Sequence, residues 1–306
     1  MPLPNFLIFG VQKAGTSSIY DYLKQHPQVY MSPIKETDFL QKNWDWADQE
    51  KQRKINAERR ARGRHECIDS FEKYQRLFDG VTTEIAIGEA SPNYLFHGET
   101  TIPQIKRYVP DVKLIAILRN PVERAYSDYL MHVREETGGH TLSEQIVHFP
   151  DIPSFTIRKG FYYQQLSLFF QSFDSAKIKI YLYDDLCTDP MGTMQDLYQF
   201  IGVDSTFQVD VSERKQVAQV PKNRWFNKLL RTRNPIRETA ATVLKFLPEE
   251  SRQNLRSALL SINSQDKKKV ALLSDDDRQK LLEIYREDTT QLQTLIQRNL
   301  SHWLTV

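Results

Sequence analysis

The sequence predicts an α/β fold, in which a parallel β-sheet is flanked by helices and a mostly helical C-terminal region packs on the same domain. Short apolar runs, typical of buried strands, alternate with segments of helical periodicity. The 306 residues suffice for one large α/β domain. After Pro221 the pattern becomes mostly helical and charged. We therefore expect a single domain over 1–306, with its core at about 1–220 and its helical region at about 221–306.

The expected elements follow one another along the chain. The apolar run 5–10 ends in glycine and predicts the first strand, and Ile19, Tyr22 and Leu23 at helical spacing predict a helix from near Thr16. Further strands are expected at 84–88, 113–118 and 177–183, and helices at about 122–136, 160–172, 235–262 and 274–297. Strands that alternate with helices favour a parallel sheet covered on both faces.

Composition and charge argue against several classes of protein. A net charge of +2 with 26% charged and 40% apolar residues is ordinary for a globular protein and does not indicate a nucleic-acid binder. The apolar runs are too short to span a bilayer, and no signal peptide is visible. Cys67 and Cys187 indicate neither a disulfide framework nor a metal site. We expect a cytoplasmic protein without a membrane span.

Residues 9–18, FGVQKAGTSS, have the P-loop-like spacing of a phosphate-binding loop, but its lysine is displaced. Gly10 and Gly15 are spaced as in G-x-x-x-x-G, whereas Thr16 stands where the lysine should be and Lys13 lies inside the loop. Unpaired N–H groups at a helix start bind anions. Hydroxyl donors follow at Thr16, Ser17 and Ser18. The alternative is an ordinary strand–turn–helix corner with hydroxyl caps.

A second stretch, residues 114–130, reads as a strand that runs into Arg119 and then into a helix. Pro121 suits the first turn of that helix. Arg119 would lie at the carboxyl end of a parallel strand, where open α/β sheets bind ligands, and arginine binds terminal phosphates through paired hydrogen bonds. Ser127 lies eight residues further on. The alternative is that Arg119 pairs with Glu123.

Together these stretches resemble the sulfotransferases that use 3′-phosphoadenosine 5′-phosphosulfate (PAPS). Residues 9–27 look like the 5′-phosphosulfate loop of that family, and residues 118–130 look like its 3′-phosphate motif. Residues 32–40 and 87–95 are similar to signatures of the heparan-sulfate type branch. The resemblance continues through residues 160–173, 180–190 and 299–304. It therefore spans most of the chain.

The resemblance implies transfer of a sulfuryl group from PAPS to an acceptor, with release of 3′-phosphoadenosine 5′-phosphate (PAP) and no metal requirement. Lys13 would stabilise the leaving phosphate, and Glu36 would be the general base, although alone it reads as a solvated acid at a helix start. His97 and His132 are the rival bases. The implied nucleotide contacts are Lys13, Ala14, Gly15, Thr16, Ser17, Ser18, Arg119 and Ser127, with Lys215 and Lys222 from a loosely matched closing loop.

One position departs from the branch, which often has a lysine where this chain has Ala90. One cation expected near the sulfuryl group is therefore absent. Lys35, Arg124 or a later residue would have to supply it, unless the acceptor binds differently.

The sequence indicates the acceptor less specifically than it indicates the nucleotide. Residues 51–64 hold seven basic residues and one acid, which reads either as a solvated helix face or as a docking patch between Lys51 and Arg64. A sulfated glycan or an acidic carrier protein with a hydroxyacyl chain would fit such a patch, and a small molecule is a further possibility. Aromatic residues that could line an apolar pocket are Trp44, Trp46, Phe71 and Tyr74.

Two other classes of function stay open at this point. A P-loop kinase or NTPase would use Asp184 and Asp185, at the end of an apolar run, to hold magnesium. A non-catalytic nucleotide-binding protein would bind the nucleotide without turnover.

Overall fold

The structure, a computed structural model, describes residues 2–41, 68–135, 140–212, 219–221, 264–266 and 273–305. Its main sheet consists of β1 (Phe6–Gly10), β2 (Val29–Met31), β3 (Ala86–Ala90), β4 (Lys113–Leu118) and β5 (Ile178–Leu182). The strand order is β2-β3-β1-β4-β5, and each neighbouring pair is parallel. An antiparallel pair joins β6 (Gln219–Pro221) to β7 (Ser264–Asp266). The parallel sheet predicted from the sequence is thus confirmed.

Helices surround this sheet. The described α-helices are α1 (Thr16–Leu23), α2 (Phe71–Arg76), α3 (Gly98–Tyr108), α4 (Pro121–Glu135), α5 (Leu142–Val147), α6 (Phe155–Arg158), α7 (Tyr162–Ser172), α8 (Tyr183–Thr188), α9 (Pro190–Ile201) and α10 (Asp275–Ile296). Short 3₁₀ turns lie at Ser175–Lys177 and Ser301–Trp303. In the described part of the chain, none of these helices combines the length and the apolar character that a membrane crossing requires.

The central strands are buried on both faces. All five residues of β1 are buried, and residues 114–118 of β4 are fully inaccessible. Such continuous apolar strands are typical of a parallel sheet with helices on each side. Strand β1 lies between β3 and β4, so the connection through α1 leaves toward one side while β4 lies on the other. The carboxyl ends of β1 and β4 therefore flank a crevice where ligands bind in open α/β sheets.

The C-terminal helix α10 packs on this body. It contacts α4, α5 and α7, and its Leu281 and Tyr285 share a buried apolar cluster with Tyr126 and Ile157. This confirms a helical C-terminal region packed against the rest. The predicted helix at 235–262 lies outside the described residues, and the division into one domain over 1–306 stays a prediction.

Most predicted boundaries agree with the structure to within two residues, from β1 to α10. The strand predicted at 84–88 instead occupies Ala86–Ala90. The reason is local: a carboxylate oxygen of Glu84 accepts hydrogen bonds from the N–H groups of Thr82 and Thr83, which makes a turn before the strand. Ile85, the next residue, is 57% exposed.

Gly88 in β3 has no room for a side chain. A Cβ atom there would collide with the ring of Phe6 and lie 2.6 Å from Sδ of Met31. We expect Gly88→Ala to lower the free energy of unfolding by about 1–3 kcal/mol, because overpacking forces neighbouring side chains out of their rotamers. Urea unfolding followed by circular dichroism measures this. The exposed Thr83→Ala variant is the control, and an unchanged midpoint for Gly88→Ala would contradict the prediction.

Candidate active site

Residues 11–15 join β1 to α1 and form the loop on which the predicted phosphate site rests. Gly15, the N-cap of α1, has a φ of 92°, in the left-handed region that favours glycine. A Cβ atom there would also lie 3.0 Å from Cδ2 of Tyr183. Because glycine has no side chain to cap the helix, the first N–H groups of α1 are left for a ligand, and the helix dipole favours an anion.

Arg119 directly follows β4 and contacts this loop. Its guanidinium donates a hydrogen bond to the backbone carbonyl of Lys13 at 3.3 Å. The same guanidinium lies over the ring of Tyr183, 4.9 Å from the ring centroid. The Arg119 side chain is only 17% exposed, so a bound anion would be attracted in a partly shielded environment. The two predicted motifs thus meet at the carboxyl ends of β1 and β4.

The pairing of Arg119 with Glu123 is also present. Their side chains approach to 3.7 Å between nitrogen and oxygen, and Glu123 accepts a second, closer contact of 2.8 Å from Arg278 of α10. Ser127 lies one turn after Glu123 on the same face of α4. A second arginine therefore stands next to the predicted phosphate cation. The sequence did not indicate Arg278, because it comes from a distant helix and belongs to no local motif.

Lys35 and Glu36 return to the start of α1. The Nζ atom of Lys35 donates a hydrogen bond of 2.6 Å to Oγ of Ser17 and lies 3.7 Å from a carboxylate oxygen of Glu36. Burial lowers the pKa of Lys35, an effect opposed by the carboxylates of Glu36 and Asp21. The structure therefore places the predicted base beside the helix that begins at the phosphate loop.

The backbone around Glu36 is held in an unusual conformation. Glu36 and Asp38 have φ values of 61° and 54°, which non-glycine residues adopt only where their surroundings impose it. The N–H of Glu36 donates to the carbonyl of Ala90 at 2.8 Å, and the N–H of Asp38 donates to Oγ of Ser91 at 3.2 Å. The segment is thus tied to the end of β3.

A buried carboxylate, Glu89, supports the same segment. It is fully inaccessible, and burial raises its pKa while its hydrogen-bond donors lower it. Its donors are the hydroxyl groups of Thr37, Tyr74, Ser91 and Tyr94, at distances of 2.5 to 3.1 Å. Because Thr37 follows Glu36 directly, this network fixes the position of the predicted base. Apart from polar residues within an apolar stretch, no feature of the sequence indicated this network.

One of the four aromatic residues predicted to line an acceptor pocket cannot do so. Tyr74 is fully buried, because its hydroxyl group donates to Glu89 inside the core. Phe71 stacks on Tyr108, with ring centroids 4.5 Å apart. Trp44 and Trp46 lie outside the described residues.

The rival bases lie in different surroundings. His97 precedes α3, and its pKa is lowered by burial and by the charge of Lys159. His132 on α4 lies 3.7 Å from the carboxylate of Asp128. The imidazole of His97 thus lies within electrostatic reach of the Lys159 ammonium.

Arg124 was one of the residues expected to replace the lysine that is absent at Ala90. The side chain of Arg124 is fully buried and donates to the carbonyl of Thr156, so it has no access to a ligand and that alternative is wrong. Lys35 does reach the site through Ser17.

The acids of the kinase alternative are engaged elsewhere. The carboxylate of Asp184 accepts a hydrogen bond of 3.0 Å from the indole of Trp303, and that of Asp185 accepts one of 2.8 Å from Arg298. Among the residues that the structure describes, no three His, Cys, Asp or Glu side chains are grouped to hold a metal ion. The observation that favoured a P-loop NTPase therefore loses its support, while the expected independence from metal stays a prediction.

Three further predictions fall outside the described residues. They concern Lys215, Lys222 and the basic stretch from Lys51 to Arg64.

Comparison with known proteins identifies relatives over much of the chain. Heparan sulfate N-deacetylase/N-sulfotransferase 3 of Homo sapiens, a bifunctional protein, is 30% identical over 217 residues, which are 66% of this chain and 22% of that protein. The membrane-associated sulfotransferase kil1 of Dictyostelium discoideum is 32% identical over 127 residues, which cover 42% of this chain and 22% of its own length. The chain thus matches about a fifth of the length of these curated relatives.

The fold has a solved counterpart over its full length. A crystal structure of a sulfotransferase from Alicyclobacillus acidocaldarius superposes with a TM-score of 0.68 at 26% identity and covers 100% of both chains. The model of the Sulfotransferase family matches residues 4–207, the part that carries the phosphate loop, Glu36, Arg119 and Ser127. The chain therefore belongs to the sulfotransferase family.

Proposed function

We propose that this enzyme transfers the sulfuryl group of PAPS to a hydroxyl group of an acceptor. The observation that carries the proposal is the hydrogen bond from Arg119 to the carbonyl of Lys13. It joins a cation suited to a 3′-phosphate to a loop suited to a 5′-phosphosulfate. PAPS carries both groups on one nucleotide.

The nucleotide contacts follow from this arrangement. The N–H groups at the start of α1 and the hydroxyl groups of residues 16–18 would hold the 5′-phosphosulfate. Arg119 and Ser127 would hold the 3′-phosphate, with Arg278 close by through Glu123. Lys215 and Lys222 stay predicted contacts of the closing loop.

Sulfuryl transfer needs two further groups, a cation at the leaving oxygen and a base for the acceptor proton. The acceptor oxygen attacks sulfur while the bond from sulfur to the bridging oxygen breaks, and the bonding electrons leave on PAP. Lys13 would stabilise the charge that develops on this oxygen, which differs most between ground state and transition state. Glu36 would receive the proton of the acceptor hydroxyl group. The short contact between Lys35 and Ser17 supports this role, because it brings the Glu36 segment to the loop helix.

The acceptor is proposed to be a glycan or a hydroxyacyl chain bound to an acidic carrier protein. The name of the human relative refers to heparan sulfate, and the basic stretch 51–64 has the charge to attract either partner. The expected cytoplasmic location is part of the same proposal.

Nucleotide selectivity tests the proposal directly. PAP should stabilise the protein against thermal unfolding far more than AMP does without added metal, because a bound ligand raises stability by mass action. In Arg119→Ala, this difference should fall by about 2 kcal/mol, the scale of a charged hydrogen bond.

The control is Arg76→Ala, which removes an exposed arginine that pairs with Glu72 on α2. Its response to PAP and AMP should equal that of the wild type. Equal stabilisation of the wild-type protein by PAP and AMP would exclude a 3′-phosphate site at Arg119.

A further inference from the structure

Lys159 contacts the phosphate loop through the side chain of Gln12. It occupies the turn between α6 and α7, and its Nζ atom donates a hydrogen bond of 2.7 Å to Oε1 of Gln12. Gln12 immediately precedes Lys13. A second ammonium group is thus bound to the phosphate loop, one residue before the lysine proposed to stabilise the leaving phosphate.

The turn that carries Lys159 is firmly held. The hydroxyl group of Tyr285 donates to the carbonyl of Ile157 at 2.8 Å. A Cβ atom on Gly160 would lie 2.7 Å from the ring of Tyr285, so the turn and α10 are in close contact. The hydroxyl group of Tyr162 donates to the carbonyl of Arg119 at 2.8 Å. The start of α7 therefore connects the turn that carries Lys159 to the predicted phosphate cation.

The surroundings of Lys159 include the predicted base. Burial lowers its pKa, and the carboxylates of Asp128, Glu36 and Asp38 act against this shift, whereas Arg124 adds to it. The ammonium also lies 5.9 Å from the ring centroid of Phe96, and its charge affects the neighbouring His97. Lys159 is thus within electrostatic reach of the phosphate loop and of both segments that could supply a base.

We propose that Lys159 is a second catalytic cation, which contacts a non-bridging sulfuryl oxygen while Lys13 acts on the bridging oxygen. This inference rests on the proposed function, since it assumes that the sulfuryl group lies between the loop and Glu36. Because Ala90 is fully buried and carries no charge, the cation expected at that end of β3 comes instead from the turn before α7.

The role follows from charge and distance. As the acceptor oxygen attacks, the three non-bridging oxygens of the sulfuryl group need hydrogen-bond donors. An ammonium group that already donates to Gln12 can turn one of its three N–H bonds to such an oxygen. PAP lacks these oxygens, so Lys159 should matter for transfer and not for binding of PAP.

The test compares three variants with the wild-type protein. Lys159→Met removes the charge and keeps the length of the side chain, and Lys159→Arg keeps the charge. Arg158→Met is the matched control, because Arg158 is an exposed neighbour that also lies over Phe96, at 5.7 Å. Each protein is assayed for PAP-induced thermal stabilisation and for single-turnover transfer from PAPS to an acceptor on which the wild type is active.

We expect Lys159→Met to lose about 10² in transfer rate, the effect of one transition-state donor, with unchanged stabilisation by PAP. Arg158→Met should change the rate by no more than about threefold, as surface substitutions do. Wild-type transfer should also decline at alkaline pH, as the buried ammonium loses its proton below the usual lysine range. Lys159→Arg should recover most of the rate and shift this decline to higher pH, because the guanidinium stays charged.

Undiminished transfer by Lys159→Met would overturn the role of Lys159. So would an equal loss in Arg158→Met, or a loss of PAP stabilisation that parallels the loss of rate. A failure of the proposed function looks different, since the wild-type protein itself would then show neither preferential stabilisation by PAP nor transfer from PAPS.

Discussion

Lys13→Ala should lower the rate of sulfuryl transfer by about 10²–10³, which is the usual effect of removing one donor to a transition-state charge. Lys13 lies inside the loop, and its carbonyl is held by Arg119. From there its ammonium can reach the bridging oxygen of a phosphosulfate, only one group away from the 5′-phosphate. PAP has no sulfuryl group to lose, so its affinity should fall much less than the rate.

A lower rate in Lys13→Ala would report on the lost ammonium group, because the substitution should leave the backbone of the loop unchanged. Lys13 has a φ of 73°, and alanine would occupy this left-handed conformation at a cost similar to that of lysine. Lys24→Ala, at the exposed end of α1, is the matched control. Single-turnover rates with PAPS and thermal shifts with PAP separate the two effects. Transfer by Lys13→Ala at the wild-type rate would show that Lys13 does not act on the leaving group.

The sheet was predictable because its central strands are continuous apolar runs. Within the runs predicted at 5–10 and 113–118, residues 6–10 and 114–118 are buried on both faces, so hydrophobicity alone indicates these strands. Strand β2 was not predicted, since Val29–Met31 has only three residues and too short a pattern. Helix α3 was also not predicted, because Pro103 interrupts a segment with few apolar residues.

Two parts of the candidate site could be predicted because their residues directly follow strands in the sequence. The phosphate loop after β1 and Arg119 after β4 lie at the carboxyl ends of neighbouring strands, so local sequence determines both their type and their place. Glu36 was predicted from family resemblance alone, and its approach to Ser17 through Lys35 depends on tertiary packing.

Other groups near the candidate site could not be predicted, because no local sequence motif indicated them. Arg278 and Lys159 come from α10 and from the turn before α7, and each reaches the site by packing of distant elements. Glu89 has an ordinary place in a strand, and only the structure shows that four hydroxyl groups converge on it. Such long-range contacts cannot be read from the spacing of residues in a single sequence.

Glu36→Gln should reduce the transfer rate by about 10²–10⁴ if Glu36 is the general base. Glutamine keeps the size of the side chain, and the hydrogen bond from the N–H of residue 36 to the carbonyl of Ala90 involves only the backbone. The left-handed segment should therefore persist, and stabilisation by PAP should stay close to that of the wild type. Glu99→Gln, an exposed acid in the first turn of α3, is the control.

His97 is the rival that makes this test necessary. Its pKa is lowered by burial and by Lys159, so its imidazole is mostly neutral at pH 7 and chemically able to accept a proton. Position favours Glu36, since its segment is tied to the end of β3 and to the phosphate-loop helix. The ring of His97 instead packs against Phe96 just before α3, with ring centroids 5.0 Å apart. If Glu36 is the base, His97→Ala and His132→Ala should each retain far more activity than Glu36→Gln in single turnovers, on an acceptor found by screening glycans, hydroxyacyl thioesters and phenols. A larger loss in His97→Ala would instead assign the proton transfer to that imidazole, and Glu36 would then serve to position Lys35 at Ser17.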